Sequence, residues 1–167
     1  MQRIAIATDL EPHDAQAFAT ALRFAQTTSS KLQVLHVHGE DKPVDWRQLP
    51  TVRDLLERWE ILAKDATVED FQRLGISVQP VEHSTEGDRV QELVVRVEEA
   101  QPDLLILGTE GRLGLQRLVR PSVAEPVARG WGGPTLMLPR KGRNLVRDDG
   151  TINLRRVLIP MDLQTKP

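Results

Sequence analysis

Short apolar runs and longer amphipathic stretches follow one another along the chain. Five runs have the length and composition of β-strands. The first is nearly continuous, as in a parallel strand that is covered on both faces. The five predicted strands are Arg3–Thr8, Leu32–His38, Ile76–Val81, Asp103–Leu107 and Pro134–Leu138.

Between these runs, apolar residues recur every three or four positions, which predicts helices with one buried face. The predicted helices run from Pro12 to about Thr27, from Thr51 to about Leu74, from Asp88 to Ala100, and from Ser122 to about Gly130. Strands and helices that alternate in this order predict an α/β fold. We expect a doubly wound, five-stranded parallel sheet with helices on both faces.

The segments outside these elements are polar. Pro80 cannot donate a hydrogen bond to a neighbouring strand, so the third strand is predicted at an edge of the sheet. Gly39–Pro50 is predicted to be a surface loop, and His83–Gly87 a polar turn. His13 is likewise interpreted as a surface loop residue, and the arginines of residues 140–147 as a solvated linker.

Composition narrows the possible functions. The chain has 167 residues, a net charge of −2 and a pI of about 6.1, so nucleic acid is not an expected partner. It contains no cysteine, which excludes disulfides and thiolate metal sites. The apolar stretch before Asp9 is too short for a signal peptide or a membrane span. We expect a cytoplasmic protein.

A glycine-bearing loop after the fourth strand is the main candidate for chemistry. Gly108 and Gly111 end an apolar run, and Pro121-Ser122 follows after nine residues. A strand, a glycine loop and a helix start are typical of a phosphate-binding turn. Ser122 and Glu125 have the spacing of a capping box. Ligands of such sheets bind beyond the carboxyl ends of strands, where Asp9 and Gly108 are predicted.

No catalytic motif accompanies this loop, so the chain is not predicted to be an enzyme. It has neither a G-x-S-x-G nucleophile elbow nor a G-x-x-x-x-G-K-[ST] loop. His36 and His38 share one face of a strand and could bind a metal ion, but acidic or cysteine partners at ligand spacing are absent. We interpret His36 as a core or interface residue and predict no metal.

The end of the chain resembles its beginning. Arg156–Leu163 repeats the arginine, the β-compatible run, the aspartate and the leucine of Arg3–Leu10. This predicts a domain over residues 3–139, a linker over 140–154, and the first strand of a truncated second repeat over 155–167. The alternative is a tail strand that resembles the first strand by chance.

These patterns together resemble a universal stress protein domain of the UspA type over residues 3–139. The resemblance implies a Rossmann-like sheet with strand order 3-2-1-4-5. Many members of the family are tandem proteins, so the chain is interpreted as a possible first half of one. The motifs that carry the resemblance are Asp9, Leu35-His36-Val37, Gly87-Asp88, Asp103–Gly108, and the loop Gly108, Gly111, Pro121-Ser122 with its following Val123-Ala124-Glu125.

The resemblance also implies a ligand, ATP or another adenine nucleotide such as AMP. Asp9 and the backbone of Val37 would recognise the base, Gly108 and Gly111 would line the ribose and phosphates, and Ser122 would hold phosphate oxygens. Thr8 and Val123 adjoin these positions. The candidate nucleotide-binding residues are therefore Thr8, Asp9, Val37, Gly108, Gly111, Ser122 and Val123.

Two prolines depart from the family pattern. Pro121 stands where nucleotide-binding members have a third glycine, and it has no N–H to donate. One hydrogen bond to a charged group contributes about 1.5–3 kcal/mol, so affinity would fall roughly ten- to a hundredfold. Pro126 is predicted near the fourth helical position, where a backbone N–H is needed. Arg112, Arg117 and Arg120 could compensate by pairing with phosphate.

The sequence is compatible with three functions. The first is a stress-response domain whose nucleotide binding is weak or lost, and the second is a dimerisation or adaptor domain without a nucleotide. The third, an enzyme of the wider adenine-nucleotide α-hydrolase group, lacks the Ser-Gly-Gly signature expected after the first strand. The apolar fifth strand predicts a homodimer or a tandem pseudo-dimer. Its predicted contact residues are Thr135, Leu136, Met137 and Leu138.

Overall fold

The computed structural model describes residues 2–39, 44–109 and 123–159. Five strands and five α-helices, together with two 3₁₀ turns at Pro12–Asp14 and Trp46–Gln48, make up the described part. Gly111, Pro121 and Ser122 lie outside it. The elements are β1 (Arg3–Ala7), α1 (Ala15–Thr28), β2 (Lys31–His38), α2 (Val52–Arg58), α3 (Val68–Arg73), β3 (Ser77–Ser84), α4 (Arg89–Ala100), β4 (Leu104–Thr109), α5 (Ala124–Trp131) and β5 (Thr135–Pro139).

The strands form one parallel sheet in the order β3-β2-β1-β4-β5. β1 lies at the centre, where Ile6 pairs with Val34 of β2 and with Ile106 of β4. This confirms the predicted fold class and strand order. β1 and β4 are neighbours, so their carboxyl ends meet where the strand order reverses.

Helices cover both faces of the sheet, and alternate strand residues point to each face. The α1 face, covered by α1 and α2, receives Ile4 and Ile6 of β1. The α4 face, covered by α4 and α5, receives Ala5 and Ala7. None of the helices in the described ranges combines the length and the apolar character that a bilayer span requires.

The single long helix predicted over residues 51–74 is wrong. α2 ends at Arg58, because Glu60 has a positive φ of 56° and the N–H groups of Ile61 and Leu62 turn back to the carbonyl of Leu56. A capping box between Thr67 and Asp70 then starts α3. The apolar spacing persists through the break, and this is why periodicity alone missed it.

The edge position predicted for the third strand is confirmed, but its end is not. β3 lies at one edge of the sheet and continues to Ser84, so His83 is a strand residue rather than part of a turn. His83 pairs with Val37, and its ring reaches Glu92 of α4 at 2.9 Å. The loop before α2 also differs from expectation, since Leu49 is buried in the core of the α1 face.

Residues 140–153, which we call the C-terminal strap, are not a solvated linker throughout. Val146 is 1% exposed and lies in the core of the α1 face, and it forms an antiparallel bridge with Ile152. Gly150 packs against Trp59 so closely that a Cβ atom there would lie 2.5 Å from the ring carbon Cγ. The Nε–H of Arg23 donates to the carbonyl of Gly150 at 2.8 Å. The strap is therefore part of the folded domain.

The chain after the strap exposes apolar side chains. Leu154, Val157, Leu158 and Ile159 are more than half exposed, and residues 154–159 have no helix or strand. Residues 160–167 lie outside the described part. The second repeat predicted over 155–167, and the domain boundaries that go with it, stay predictions.

The first turn of α5 accommodates its proline. Because α5 begins at Ala124, Pro126 is its third residue rather than its fourth. The first N–H groups of a helix have no partner within it, so Pro126 removes no intrahelical hydrogen bond. The predicted interference by Pro126 is therefore wrong. The capping box that involves Ser122 stays a prediction.

Candidate functional site

A cavity of about 600 Å³ opens beyond the carboxyl ends of the central strands. Its volume lies within the range of about 300–1,000 Å³ that is typical of small-molecule sites. It sits where the strand order reverses between β1 and β4, the position expected for a ligand in this architecture. Its walls come from the ends of β1, β2 and β4, the start of α4, the start of α5 and the first residue of the strap.

Five of the predicted site residues line this cavity: Thr8, Asp9, Val37, Gly108 and Val123. They come from four separate segments, so the fold brings together positions that lie up to 115 residues apart, from Thr8 to Val123. Gly111 and Ser122 lie outside the described residues. The binding role of all seven stays a prediction.

A buried carboxylate, which the sequence reasoning missed, organises the turn after β1. Asp14 is 3% exposed, and its Oδ2 accepts hydrogen bonds from the Thr8 hydroxyl at 2.7 Å and from the Asp9 N–H at 3.0 Å. The N–H of Leu10, at a positive φ of 60°, donates to the Thr8 hydroxyl oxygen at 2.9 Å. Asp14 therefore holds Thr8 and Asp9 in place at the cavity wall.

Arg140 forms ion pairs with both carboxylates, Asp9 and Asp14. It follows β5, and its backbone N–H donates to the carbonyl of Thr109 at 2.7 Å. Its Nη2 lies 3.2 Å from Asp9 Oδ2 and 3.3 Å from Asp14 Oδ1. With 17% of its side chain exposed, Arg140 is a residue of the site. The interpretation of this arginine as part of a solvated linker is wrong.

Gly108 has a steric reason to be glycine. A Cβ atom at this position would lie 3.0 Å from Asp14 Oδ1 and 3.9 Å from Arg140 Nε. The Asp14–Arg140 ion pair therefore passes directly over the backbone of β4. A larger residue at 108 would push the pair away from its position.

The pKa values of the two carboxyl groups are shifted in opposite directions. Burial raises the pKa of Asp14, and the neighbouring Asp9 carboxyl adds to that effect. Burial also acts against ionisation of Asp9, but hydrogen bonds with the Asp14 side chain and the Glu11 N–H, together with the charge of Arg140, lower the pKa of Asp9. Asp9 therefore loses its proton at a lower pH than Asp14 does.

A metal ion at this position would compete with Arg140 for the carboxylates of Asp9 and Asp14. One ligand atom from each of Asp9, His13 and Asp14 lies within 4.8 Å of the others, close enough to share an ion. His13 Nε2 is 3.2 Å from Asp9 Oδ1, so this exposed residue of the Pro12–Asp14 turn contacts the site from the surface. The guanidinium of Arg140 already supplies a positive charge to both carboxylates.

The wall opposite the ion pair is largely apolar. Val90 and Leu93 of α4 face Ala7 and Val37 of the sheet across the cavity. Asp88 lies at the entrance, but its Oδ1 accepts the N–H of Val90 at 2.8 Å and caps α4. The cavity thus combines a polar group on one side with apolar surface on the other, as ligand sites commonly do.

His36 of β2 contacts the backbone of Thr8 at the cavity, and His38 stacks against His36. His36 is buried and donates its Nδ1–H to the carbonyl of Thr8 at 2.9 Å. The rings of His36 and His38 stack with centroids 5.7 Å apart, and His38 Nε2 lies 3.3 Å from Glu82. The burial and contacts of His36 agree with its interpretation as a core residue.

The family model of the universal stress protein family matches residues 1–139. The chain belongs to the universal stress protein family. The match spans the whole sheet, from β1 to the end of β5. No match was found among the curated proteins.

Solved structures of other universal stress proteins have the same fold. One, described as a universal stress protein in complex with cAMP, is 21% identical with a TM-score of 0.53, covering 84% of this chain and 98% of the other. A second, from Archaeoglobus fulgidus DSM 4304, is 21% identical with a TM-score of 0.56, covering 83% of this chain and 44% of a longer one. A third, from Burkholderia pseudomallei, is 21% identical with a TM-score of 0.51, covering 83% and 96%.

Proposed function

We propose that this universal stress protein domain binds an adenine nucleotide in the cavity and acts in a stress response without catalysing a reaction. The observation that carries the proposal is the meeting of Asp9, Val37 and Gly108 around one cavity at the strand-order reversal. The resemblance assigned these positions to the base, the ribose and the phosphates. No enzymatic role is proposed, since the sequence contains neither a G-x-S-x-G nor a G-x-x-x-x-G-K-[ST] motif.

The base would lie between Asp9 and the end of β2. The Asp9 side chain is 55% exposed and offers carboxylate oxygens to a donor on the ligand. The carbonyl of Leu35 points towards β1, where it accepts the N–H of Thr8. Because strand residues alternate in direction, the N–H and C=O of Val37 point to the same side, beyond the last residue of β1. A base edge placed there could meet both partners.

The phosphates would lie towards Gly108 and the start of α5. The solved structure in complex with cAMP has the same fold as this chain, which supports a phosphate-bearing adenine compound as ligand. Pro121 is expected to weaken phosphate binding, so we propose weak affinity rather than tight binding. ATP, AMP and cyclic AMP are all candidates.

Calorimetry and thermal-shift measurements with ATP, AMP and cyclic AMP test this proposal. We expect saturable binding, a rise in Tm at millimolar ligand, and loss of both in Gly108→Val, whose side chain would displace the ion pair. Arg143→Gln, an exposed change three residues beyond Arg140, is the matched control. The proposal fails if no adenine nucleotide copurifies and millimolar ATP leaves Tm unchanged.

The proline in the loop has its own test. Pro121→Gly restores the backbone donor of the family pattern, so we expect ATP affinity to rise roughly ten- to a hundredfold. Adenosine, which lacks phosphates, should bind both forms equally. An equal gain for adenosine would show that Pro121 acts on the shape of the cavity instead.

An assembly role is the second candidate, favoured by β5. This strand is a free edge of the described sheet, and Met137 is 40% exposed there. We propose a homodimer, or a pseudo-dimer with a tandem copy, through Thr135, Leu136, Met137 and Leu138. Light scattering on the wild type and on Met137→Lys tests it, and a stable wild-type monomer at micromolar concentration would contradict it. We also propose a cytoplasmic location, in keeping with the absence of cysteine.

A further inference from the structure

The ion pair at the cavity crosses three strands. Arg140 leaves the end of β5, passes over Gly108 of β4 and reaches the two carboxylates that follow β1. One nitrogen, Nη2, contacts both Asp9 and Asp14, at 3.2 and 3.3 Å. Along the chain, Arg140 is separated from Asp9 by 131 positions and from Asp14 by 126 positions.

We propose that Arg140 is a positioning residue that holds the Asp9 carboxylate towards the amino edge of a bound base, and that it does not contact phosphate. The inference rests on the proposed function, because it assigns Arg140 a part in recognising the same ligand. The ligand class is a purine that carries an amino group where Asp9 accepts.

Asp14 is the reason that Arg140 stays in place. The Asp14 side chain is 4% exposed, and Arg140 is the guanidinium that faces its Oδ1. If Arg140 turned to a phosphate, it would leave a buried carboxylate without that cation. The desolvation penalty of such a charge exceeds the net gain from one charge-assisted hydrogen bond to a solvated phosphate. The guanidinium therefore remains with the two carboxylates when a ligand enters.

The contacts of Asp9 fix the direction of its carboxylate. Its Oδ1 accepts the N–H of Glu11 at 3.2 Å and lies 3.2 Å from His13 Nε2, while its Oδ2 faces Arg140. Each carboxylate oxygen has two lone pairs, so an acceptor remains for a ligand. An oriented acceptor favours a base with an amino group and disfavours one with a carbonyl at that position, since two facing acceptors cannot bond.

The test compares adenosine, inosine and ATP on four proteins by calorimetry: wild type, Arg140→Gln, Arg140→Lys and the exposed control Arg143→Gln. We expect Arg140→Gln to lose about tenfold in affinity for adenosine and ATP alike, and to lose most of the preference for adenosine over inosine. Arg140→Lys keeps the charge and should recover part of both. Arg143→Gln should match the wild type.

Two results would overturn the inference. A loss for ATP with none for adenosine would make Arg140 a phosphate contact. An Arg140→Gln protein that binds all three ligands as Arg143→Gln does would remove it from recognition. If wild type binds neither adenosine nor ATP, the proposed function itself fails and this role fails with it. That outcome differs from the other two, in which wild type binds.

Two further variants, studied by NMR without ligand and by calorimetry with ligand, cover the case in which Arg140→Gln is poorly folded. Carboxyl NMR of Arg140→Lys and Asp14→Asn reports changes in the surroundings of the Asp9 carboxylate. We expect Asp14→Asn, which removes the charge that anchors the guanidinium, to change the Asp9 carboxyl signal and to lower the preference for adenosine over inosine. An unchanged signal with an unchanged preference would contradict the role of Asp14.

Discussion

The two faces of the sheet differ in what they bury. Of the described residues, 19 buried apolar ones form the core of the α1 face and 9 form that of the α4 face. The α1 face is covered by α1, α2 and the C-terminal strap, whereas the cavity opens among residues of the α4 face, such as Val37 and Leu93. The comparison indicates that most of the stability comes from one face and that ligand space lies on the other.

Side-chain size on the central strand follows the same division. Ile4 and Ile6 of β1 point to the α1 face, and Ala5 and Ala7 point to the α4 face. Small side chains on the α4 face leave room next to the sheet, and Ala7 itself lines the cavity. Filling that face as densely as the other would close the site.

The largest loss of stability is expected from a substitution in the core of the α1 face. Leu56 is fully buried there, so Leu56→Ala removes apolar contacts and leaves a cavity. We expect the free energy of unfolding to fall by about 2–5 kcal/mol, measured by urea denaturation. Nucleotide affinity of the remaining folded protein should be unchanged. A change in affinity would contradict the assignment of stability to the α1 face and of ligand binding to the α4 face.

A change in the strap should have the next largest effect. Gly150 has φ +78° and sits against Trp59, so Gly150→Ala adds both backbone strain and overlap with the ring. We expect a loss of about 2–4 kcal/mol in urea denaturation. The matched change on the α4 face is Gly130→Ala, where the added Cβ would meet Val94 at 2.8 Å.

Gly130 lies inside α5, where alanine is the better helix former by about 1 kcal/mol. That gain offsets part of the clash, so Gly130→Ala should destabilise less than Gly150→Ala. An equal or larger loss at Gly130 would show that α4 and α5 pack as rigidly as the α1 face.

Removing core volume on the α4 face should lower stability by a smaller amount. Val127 of α5 is fully buried, and Val127→Ala should lower the free energy of unfolding by about 1.5–3 kcal/mol. Because the adjoining residues Val123 and Ala124 line the cavity, ligand affinity should fall as well. Denaturation and calorimetry on the same sample measure both. Stability loss without affinity loss would mean that α5 does not transmit packing changes to the site.

The smallest expected effect on stability concerns a residue at the amino ends of β1 and β4, outside both cores. Exposed Asp103 accepts the N–H groups of Gln2 and Arg3 at 2.6 and 3.1 Å, and these bonds lower its pKa below the ordinary 3.8. A lowered pKa in the folded state gives stability that is present above pH 3.8 and is lost as pH falls through the folded pKa.

We therefore expect Asp103→Asn to be slightly less stable than wild type at pH 7, with the difference shrinking as pH falls below 3.8. Thermal unfolding from pH 7 down to pH 2–3 measures this. Ligand binding should not respond, since Asp103 lies at the amino end of β4, away from the cavity. A difference that grows on acidification would reverse the assigned sign.

The sheet was predictable because its signals are local. Apolar runs, Pro80 and the glycine loop identify strands and an edge within a few residues, and the family motifs add the strand order. The break between α2 and α3 carried a local signal, the Thr67–Asp70 capping box, but apolar spacing on both sides concealed it.

The site was predictable in part. Asp9, Val37, Gly108 and Val123 belong to family motifs, Thr8 adjoins one, and all five line the cavity. Asp14 and Arg140 do not belong to those motifs, and the contact that joins them spans 126 residues, which no local pattern encodes. An arginine directly after a strand, at the edge where ligands bind, was the available hint. A run of basic residues around it made it resemble an ordinary linker.

The position of Arg140 has a practical consequence for anyone who excises or transplants this domain. The family match ends at residue 139, one residue before the guanidinium that neutralises the buried Asp14. A fragment trimmed to that boundary would keep every strand and every family motif. It would also lose a charge partner of Asp14 and the strap that covers Trp59. A chimaera with an intact-looking sheet would therefore carry an altered binding cavity.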